Sequence, residues 1–339
     1  MTSKAEYAQN PELNALADKV STADRSASKP QILQPFQFAT DAQNQLIFFL
    51  KPEVFLVDDP AKRRAIVDLT FRTFESFGVT ISGCALLPGS FLDETSAMDR
   101  HYGFINTMSR RASEVLSNEE AAAVRKSVAA TDDTRIVGGH EYLKESGISA
   151  QELDNLWSSQ KSTRVRSGLY VEQMELSGKT VVVVNGFHPF QLAHFTAKDR
   201  LIAVMLVETE LPWNVVRSQM IGDTFPEKAA RGSIRRALHD APEAYGLGSV
   251  GITNNCVHLS AGPFEGYFEA TNFLSRVPGA GFAPELPTVA KTLKAFGAEA
   301  DIEQVLANPT SDLGSLFDAT EGVDTRSAVA LYTKLFRKS

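Results

Sequence analysis

Two residues invite a chemical reading first. His258 stands near the end of an apolar run, Val250 to Leu259, of strand character, and Glu269 follows eleven residues later on a helical stretch opened by Pro263. A strand end and a neighbouring helix face can bring an imidazole against a carboxylate. The carboxylate then fixes one ring nitrogen as N–H and leaves the lone pair of the other for attack or proton transfer. A strand-end histidine and an unrelated surface glutamate explain the same spacing, and from these two residues alone that is the more ordinary reading. The other five histidines, at 101, 140, 188, 194 and 239, form no HExxH arrangement and no metal-binding spacing. A second feature is positive charge. Arg217, Lys228, Arg231, Arg235 and Arg236 stand against only Asp223 and Glu227 in the stretch 217–236. Lys51 ends an apolar run, where a central strand could present it to a ligand. Arginine offers a bidentate fork to a phosphate and lysine a point charge, although a solvated basic face would look the same.

These side chains need elements to hold them. Residues 45–50 form an apolar run of strand length stopped by Lys51-Pro52. Pro60 opens a helix whose Ile66, Leu69, Phe71, Phe74 and Phe77 recur at helical spacing, and Gly78 closes it. A second strand is expected over Val79 to Leu87 and a helical stretch through Met98, His101 and Tyr102. Two charged amphipathic helices are expected near 110–129 and 149–160, then a hairpin, 169–176 with 180–185, turning at Ser177-Gly178-Lys179. The Gly-Lys-Thr at this turn is no phosphate loop, because the motif needs glycine where Gln173 stands. Leu201 to Glu208 is the most apolar strand, a helix runs from Pro212 to about Ile221, and 222–226 is a loop. Residues 283–339 carry three or four short helices, with Asp301 and Asp324 as cap signals. Residues 1–43 read as a polar, mobile arm with one short helix near 11–20.

The chain has 339 residues, 43% hydrophobic and 22% charged, with a formal net charge of −7. At roughly 150 residues per domain this is about two domains of ordinary globular composition. The acidic balance argues against general nucleic-acid binding, which needs a basic surface. No apolar run approaches the roughly 20 residues of a membrane span, and the first residues lack the apolar core of a secretory signal. Two cysteines, Cys84 and Cys256, build no disulfide framework and no zinc site. A cytoplasmic location is the expectation.

Six short segments, in order, resemble the nucleoside diphosphate kinase family. Phe48-Phe49-Leu50-Lys51-Pro52-Glu53 is similar to its first-strand motif, and Phe74-Glu75-Ser76-Phe77-Gly78 to the end of its first helix. His101-Tyr102 resembles a pair on its second helix. Gly222-Asp223-Thr224-Phe225-Pro226 and Gly232-Ser233-Ile234-Arg235 resemble two of its loop motifs. Asn255-Cys256-Val257-His258-Leu259-Ser260 resembles the active-site signature, with Glu269 at the offset of the family's orienting glutamate. The resemblance covers 44–106 and 181–274. It implies an α+β fold with a ferredoxin-like βαββαβ antiparallel core, an inserted helix and hairpin subdomain at 107–180, and a helical C-terminal extension at 275–339.

It also implies roles. His258 becomes a phosphohistidine, and Glu269 and Ser260 support it. Lys51, Thr224 and Arg235 bind phosphates, Asn255 and Lys51 reach sugar hydroxyls, Tyr102 lies near the γ-phosphate and Phe190 stacks on the base. Several positions depart from the pattern. His188 stands where the family has arginine, which would make that phosphate contact pH-dependent. The helix over Asn214 to Met220 is short, with Arg217 the nearest counterpart of an expected arginine, and the acidic residue after the active-site serine is Ala261. The implied activity is transfer of the γ-phosphate of a nucleoside triphosphate such as ATP to a nucleoside diphosphate, with Mg²⁺ carried by the phosphates, by a homo-oligomer that binds neither nucleic acid nor membrane. The alternatives are a catalytically weak nucleotide-binding domain of the same fold, and an enzyme with a dedicated acceptor that is not a diphosphate.

Overall fold

The computed structural model describes residues 10–166 and 168–337; residues 1–9 of the polar arm lie outside that range. In chain order the strands are β1 (Gln31–Gln34), β2 (Asn44–Leu50), β3 (Thr80–Pro88), β4 (Ile136–Gly138), β5 (Thr163–Arg166), β6 (Leu169–Leu176), β7 (Lys179–Val184), β8 (Leu201–Thr209), β9 (Val257–Leu259) and the two-residue pair β10 (Thr310–Ser311) and β11 (Gly314–Ser315). The chain divides into two units, Met1–Phe91 with Lys198–Ser339, and Leu92–Ala197. Both mix helices with antiparallel strand pairs, an α+β architecture. Among the described residues no helix is long and apolar enough to cross a membrane.

In the first unit the sheet order is β1-β3-β8-β2-β9, and every neighbouring pair is antiparallel. All seven residues of β2 are buried, because β2 is flanked by strands on both edges and covered on both faces. Side chains alternate between faces. Leu46, Phe48 and Leu50 join one core with Ile66, Val67, Phe71 and Phe74 of the helix Pro60–Ser76. Trp213, Val216, Met220, Ile234 and Leu238, from the connection between β8 and β9, enter the same core. On the opposite face Phe49 meets Phe273 of the helix Pro263–Leu274 edge to face, with ring centroids 5.7 Å apart.

Two sequence expectations change here. The polar arm is not loose over its described length. The helix Pro11–Ser21 buries Leu16, Ala17 and Val20 in the main core, and β1 pairs with β3. Leu16, Ala17 and Val20, with Leu13 beside them, are a weak signal within a polar arm, and they suffice once a strand edge is near. The last strand, expected from Val250, is only three residues long. Asn254 accepts a hydrogen bond from the Gly251 N–H and donates to the Ser249 carbonyl, and Asn255 donates to the Ile252 carbonyl. Such local side-chain bonds compete with a strand ladder.

The C-terminal segment forms the short helices Thr288–Ala295, Ile302–Leu306, Leu316–Ala319 and Thr325–Leu335, which pack Val289, Leu293, Leu316, Val329 and Tyr332 around Phe264 and Tyr267. The two aspartates read as helix caps serve tertiary bonds instead. Asp324 accepts from the Asn44 side chain and the Trp213 N–H, and Asp301 accepts from the Tyr332 hydroxyl.

The second unit holds a four-stranded sheet, β4-β7-β6-β5. β6 and β7 form the expected hairpin, with Leu176 opposite Lys179 and Ser177-Gly178 in the turn. The unit reaches beyond the 107–180 insert expected from sequence. Met108 and Ala112 of the helix Gly103–Val115 share a core with Val171, Val182 and Val184, and the helix Pro189 belongs to, His188–Thr196, follows directly on β7. On the opposite face of β6, beside Met174 and Leu176, Glu172 is the exception among apolar neighbours. Its side chain is 3% exposed, and among the described residues neither carboxylate oxygen has a hydrogen-bond partner. Burial pushes this carboxyl up to about 7. The folded state therefore keeps a proton that the unfolded chain releases at lower pH, so the group costs stability increasingly as pH rises from its ordinary 4.5 through 7. Glu172→Gln is expected to stabilise the protein at pH 8 by roughly 1–3 kcal/mol and to leave it nearly unchanged at pH 4. Thermal unfolding at the two pH values checks this; an equal shift at both would mean that packing, not ionisation, is the cause.

Candidate active site

β9 places His258 directly opposite Phe49 of β2, and the two rings stack at 4.3 Å with their planes 17° apart. The imidazole is held in the sheet on that side and keeps 19% of its surface exposed. From the helix Pro263–Leu274, Glu269 comes to it fully buried. The Nε2–H of His258 donates to Glu269 Oε1 at 2.7 Å, and the Ser260 hydroxyl donates to Glu269 Oε2 at 2.6 Å. Ser260 is fastened in turn to β2: its hydroxyl accepts from the Ile47 N–H at 3.0 Å, and its own N–H donates to the Ile47 carbonyl at 3.0 Å. Trp213 Nε1 donates to the Ser260 carbonyl. With Nε2 carrying the proton, the ring's lone pair lies on Nδ1. Burial, with Lys51, Arg235 and Arg217 nearby, holds the His258 pKa well below the usual histidine range, so the imidazole is neutral.

A neighbouring carboxyl, one helical turn before Glu269, is treated oppositely. Glu265 accepts from the Ala261 N–H at 2.7 Å, yet burial and the charge of Glu269 push it up to about 8. At neutral pH Glu265 therefore holds its proton.

His258 opens into a cleft of about 570 Å³ lined also by Lys51, Arg217, Gly222, Thr224, Arg235 and Asn255. The chain turns sharply to place Lys51 there. Its N–H donates to the Cys256 carbonyl, and Pro52 starts the short helix Pro52–Phe55 immediately afterwards. Glu53 reaches back to accept from the Cys256 N–H at 2.8 Å, holding Cys256 at a φ of 65°. On the other wall, Arg235 donates to the carbonyls of Gly222 and Val257. Gly222 has a φ of 94°, and a Cβ there would meet Ser233 Oγ at 2.4 Å, so this loop needs glycine. Burial and the nearby Arg217 lower the Arg235 pKa to about 10, which leaves it charged at neutral pH. The helix over 212–221 is a short α turn, Trp213–Val215, that widens to a π-helix at Val216–Ile221. Arg217 lies on the wider part, and its Nη1 donates to the Ala261 carbonyl and to Glu321 Oε1.

Two buried polar atoms in the lining are unsatisfied. Among the described residues Arg235 Nε and Asn255 Oδ1 have no hydrogen-bond partner, which points to a ligand or water that completes them. Neither unit by itself gathers three metal-ligating side chains among the described residues. Both cysteines are free and buried.

Of the residues singled out in sequence, the first unit brings together His258, Glu269, Ser260, Lys51, Arg217, Thr224, Arg235 and Asn255. Tyr102, His188 and Phe190 belong to the second unit. There His188 is fully buried, 3.2 Å from Asn106 Oδ1 and 3.3 Å from Gln191 Oε1, with the Tyr102 ring edge to face against it. Burial lowers its pKa to about 4, so the proton-dependent cation expected at this position does not form between pH 6.5 and 8. Phe190 is half-buried on the same helix. Sequence reading missed Glu53, Glu265 and Glu321. Glu53 sits inside a quoted motif and could have been asked for a role; Glu321 lies 63 positions from His258 and carries no spacing signal.

No family model matches the chain, and no curated protein matches it. Among solved structures, the crystal structure of an NDP kinase from Pyrobaculum aerophilum is similar at 17% identity, with a TM-score of 0.34, over 68% of this chain and 94% of that one. At that level of likeness neither activity nor site residues carry over.

The Ser260 hydroxyl serves both Glu269 Oε2 and the Ile47 N–H. Ser260→Ala is expected to destabilise the protein by about 1–3 kcal/mol through the loss of buried hydrogen bonds. The check is a fall in the urea midpoint at an unchanged slope; an unaltered midpoint would mean that the Glu269 carboxylate does not depend on the serine.

Proposed function

We propose that the chain is a phosphotransferase resembling the nucleoside diphosphate kinases, working through a phosphohistidine at His258. One observation carries the reading. A neutral imidazole, its Nε2–H held by a buried carboxylate, lies in the wall of a cleft that also carries Lys51, Arg217 and Arg235. A nucleophile whose lone pair is fixed by its other ring nitrogen, beside three cations, suits attack on phosphorus. The motif order in the sequence and the sheet order support the finer fold reading. Strands β2, β3, β8 and β9 lie in the order β3-β8-β2-β9, and both intervening helical connections pack in one core, as in a ferredoxin-like βαββαβ unit.

In the proposed cycle the lone pair on His258 Nδ1 forms a bond to the γ-phosphorus of a nucleoside triphosphate such as ATP. The bond from phosphorus to the β-γ bridging oxygen breaks, and the diphosphate leaves with that electron pair. The Nε2 proton stays on the ring, where Glu269 offsets the positive charge that the imidazole gains. An oxygen of an acceptor nucleoside diphosphate then attacks the same phosphorus, and the phosphorus–nitrogen pair returns to Nδ1. Lys51, Thr224, Arg217 and Arg235 hold the phosphates, and the unsatisfied Asn255 Oδ1 suits a sugar hydroxyl. Mg²⁺ bound to the phosphates would neutralise part of their charge.

The alternative, a nucleotide-binding domain with little turnover, draws on one observation: Arg217 is engaged by Glu321.

Incubation with γ-labelled ATP is expected to yield an acid-labile, alkali-stable phosphoenzyme that His258→Ala abolishes. A label that survives in the variant sinks the assignment, and a wild type that binds ATP without labelling favours the alternative. Glu269→Gln is expected to slow single-turnover labelling on the order of 10²-fold; an unchanged rate would remove Glu269 from the chemistry. Because His258 stays neutral well below the usual range, the wild-type labelling rate is expected to hold from pH 8 to pH 6. A decline centred near pH 6.5 would show an ordinary histidine.

A further inference from the structure

Glu321 belongs to the C-terminal extension, yet it lines the cleft. Its carboxylate is 2.5 Å from Arg217 Nη1. The segment that delivers it is fixed on both sides. The Gly322 N–H donates to the Ala261 carbonyl at 2.8 Å. Asp324 accepts from the Trp213 N–H at 2.7 Å and from Asn44 Nδ2 at 2.9 Å, and Thr325 bonds to Asn44 Oδ1 through both its N–H and its hydroxyl. Just before Glu321, the Thr320 carbonyl comes so close to Gly262 that a Cβ there would lie 2.5 Å from it. The approach is therefore built into the fold, beside the strand that carries His258.

Where the carboxylate sits decides what it does. A residue that supports an arginine stands behind it and leaves its outer face to the ligand. Glu321 is 54% exposed and Arg217 28%, so the acid is on the open side. The same Nη1 already serves the Ala261 carbonyl. A phosphate that uses Arg217 Nη1 must take the place of this carboxylate, and the two anions cannot share one guanidinium edge without repulsion.

Resting on the phosphotransfer reading above, we propose that Glu321 is an affinity-setting residue of the cleft: its carboxylate stands in for a ligand phosphate on Arg217 and must be displaced by the phosphate chain of a nucleotide. The consequence is weaker holding and faster release of the nucleotide, which a ping-pong site must let go after each half-reaction. The test is calorimetric titration of the full chain with ADP at pH 8, for wild type, Glu321→Gln, Glu321→Ala, Arg217→Ala and the Arg217→Ala/Glu321→Gln double variant. Both single Glu321 variants are expected to bind ADP about three- to fivefold tighter, the size of a partly exposed ion pair. In the Arg217→Ala background the gain is expected to vanish. Equal or weaker binding by both Glu321 variants overturns the inference and leaves the phosphotransfer site standing. A gain of the same size without Arg217 also overturns it, because the acid would then act on the ligand without that arginine. Absence of ADP binding by every variant and by wild type overturns the nucleotide reading and the inference with it.

Discussion

A carboxylate with no exposed surface organises the first unit. An ionised acid taken out of water is tolerated only when its oxygens are hydrogen-bonded and its charge is answered nearby. Glu269 meets that condition through His258 on one oxygen and Ser260 on the other. The demand spreads outward. Ser260 can serve only because β9 lies beside β2, where the Ile47 backbone binds it in both directions. His258 can serve only because Phe49 packs flat against its ring. The indole of Trp213 closes the ring of contacts on the Ser260 carbonyl. Strand pairing, helix placement and the protonation pattern of the candidate nucleophile are therefore one constraint. Glu265, one turn away, is pushed up to about 8 by its burial and then by the charge of Glu269.

The cleft outside that constraint is built on the opposite principle. Its cations are exposed enough to meet a ligand but are not left to water. Arg235 is fastened to two backbone carbonyls, one of them on the glycine of the 222–226 loop. Arg217 is fastened to a carbonyl and an acid. A guanidinium fixed by backbone carbonyls, as Arg235 is, loses little freedom when an anion arrives, whereas the acid on Arg217 occupies the nitrogen that an anion would use. The C-terminal extension packs around Phe264 and Tyr267 of the helix that carries Glu269, and it lines the cleft through Glu321 and Gly322.

The second unit is organised by apolar faces on both sides of a short mixed sheet, and its polar cluster is internal. Ser109, His140 and Asn185 are linked by hydrogen bonds, and His140, like His188, is lowered to about 4 by burial. The neutral imidazoles there, His188 fully buried and His140 half-buried, act as packing groups and hydrogen-bond partners. Helices on either side of residues 107–180 pack within this second unit, which spans Leu92–Ala197.

Much of this was written locally. Helix starts at Pro60 and Pro263, the hairpin at Ser177-Gly178, and the apolar runs of β2 and β8 follow from φ restrictions and side-chain periodicity, which act over a few residues and can be read in order. The spacing from His258 to Glu269 is local as well, since one strand end and one helix separate them. Tertiary structure decided the rest. It docked a polar arm as an edge strand, turned two cap-like aspartates into long-range anchors, neutralised His188 by burial, and brought Glu321 to Arg217 across 104 positions. Each of these depends on which surfaces meet after the chain has closed on itself. Burial and Coulomb energy depend on distance in space, and spacing along the chain does not encode that distance.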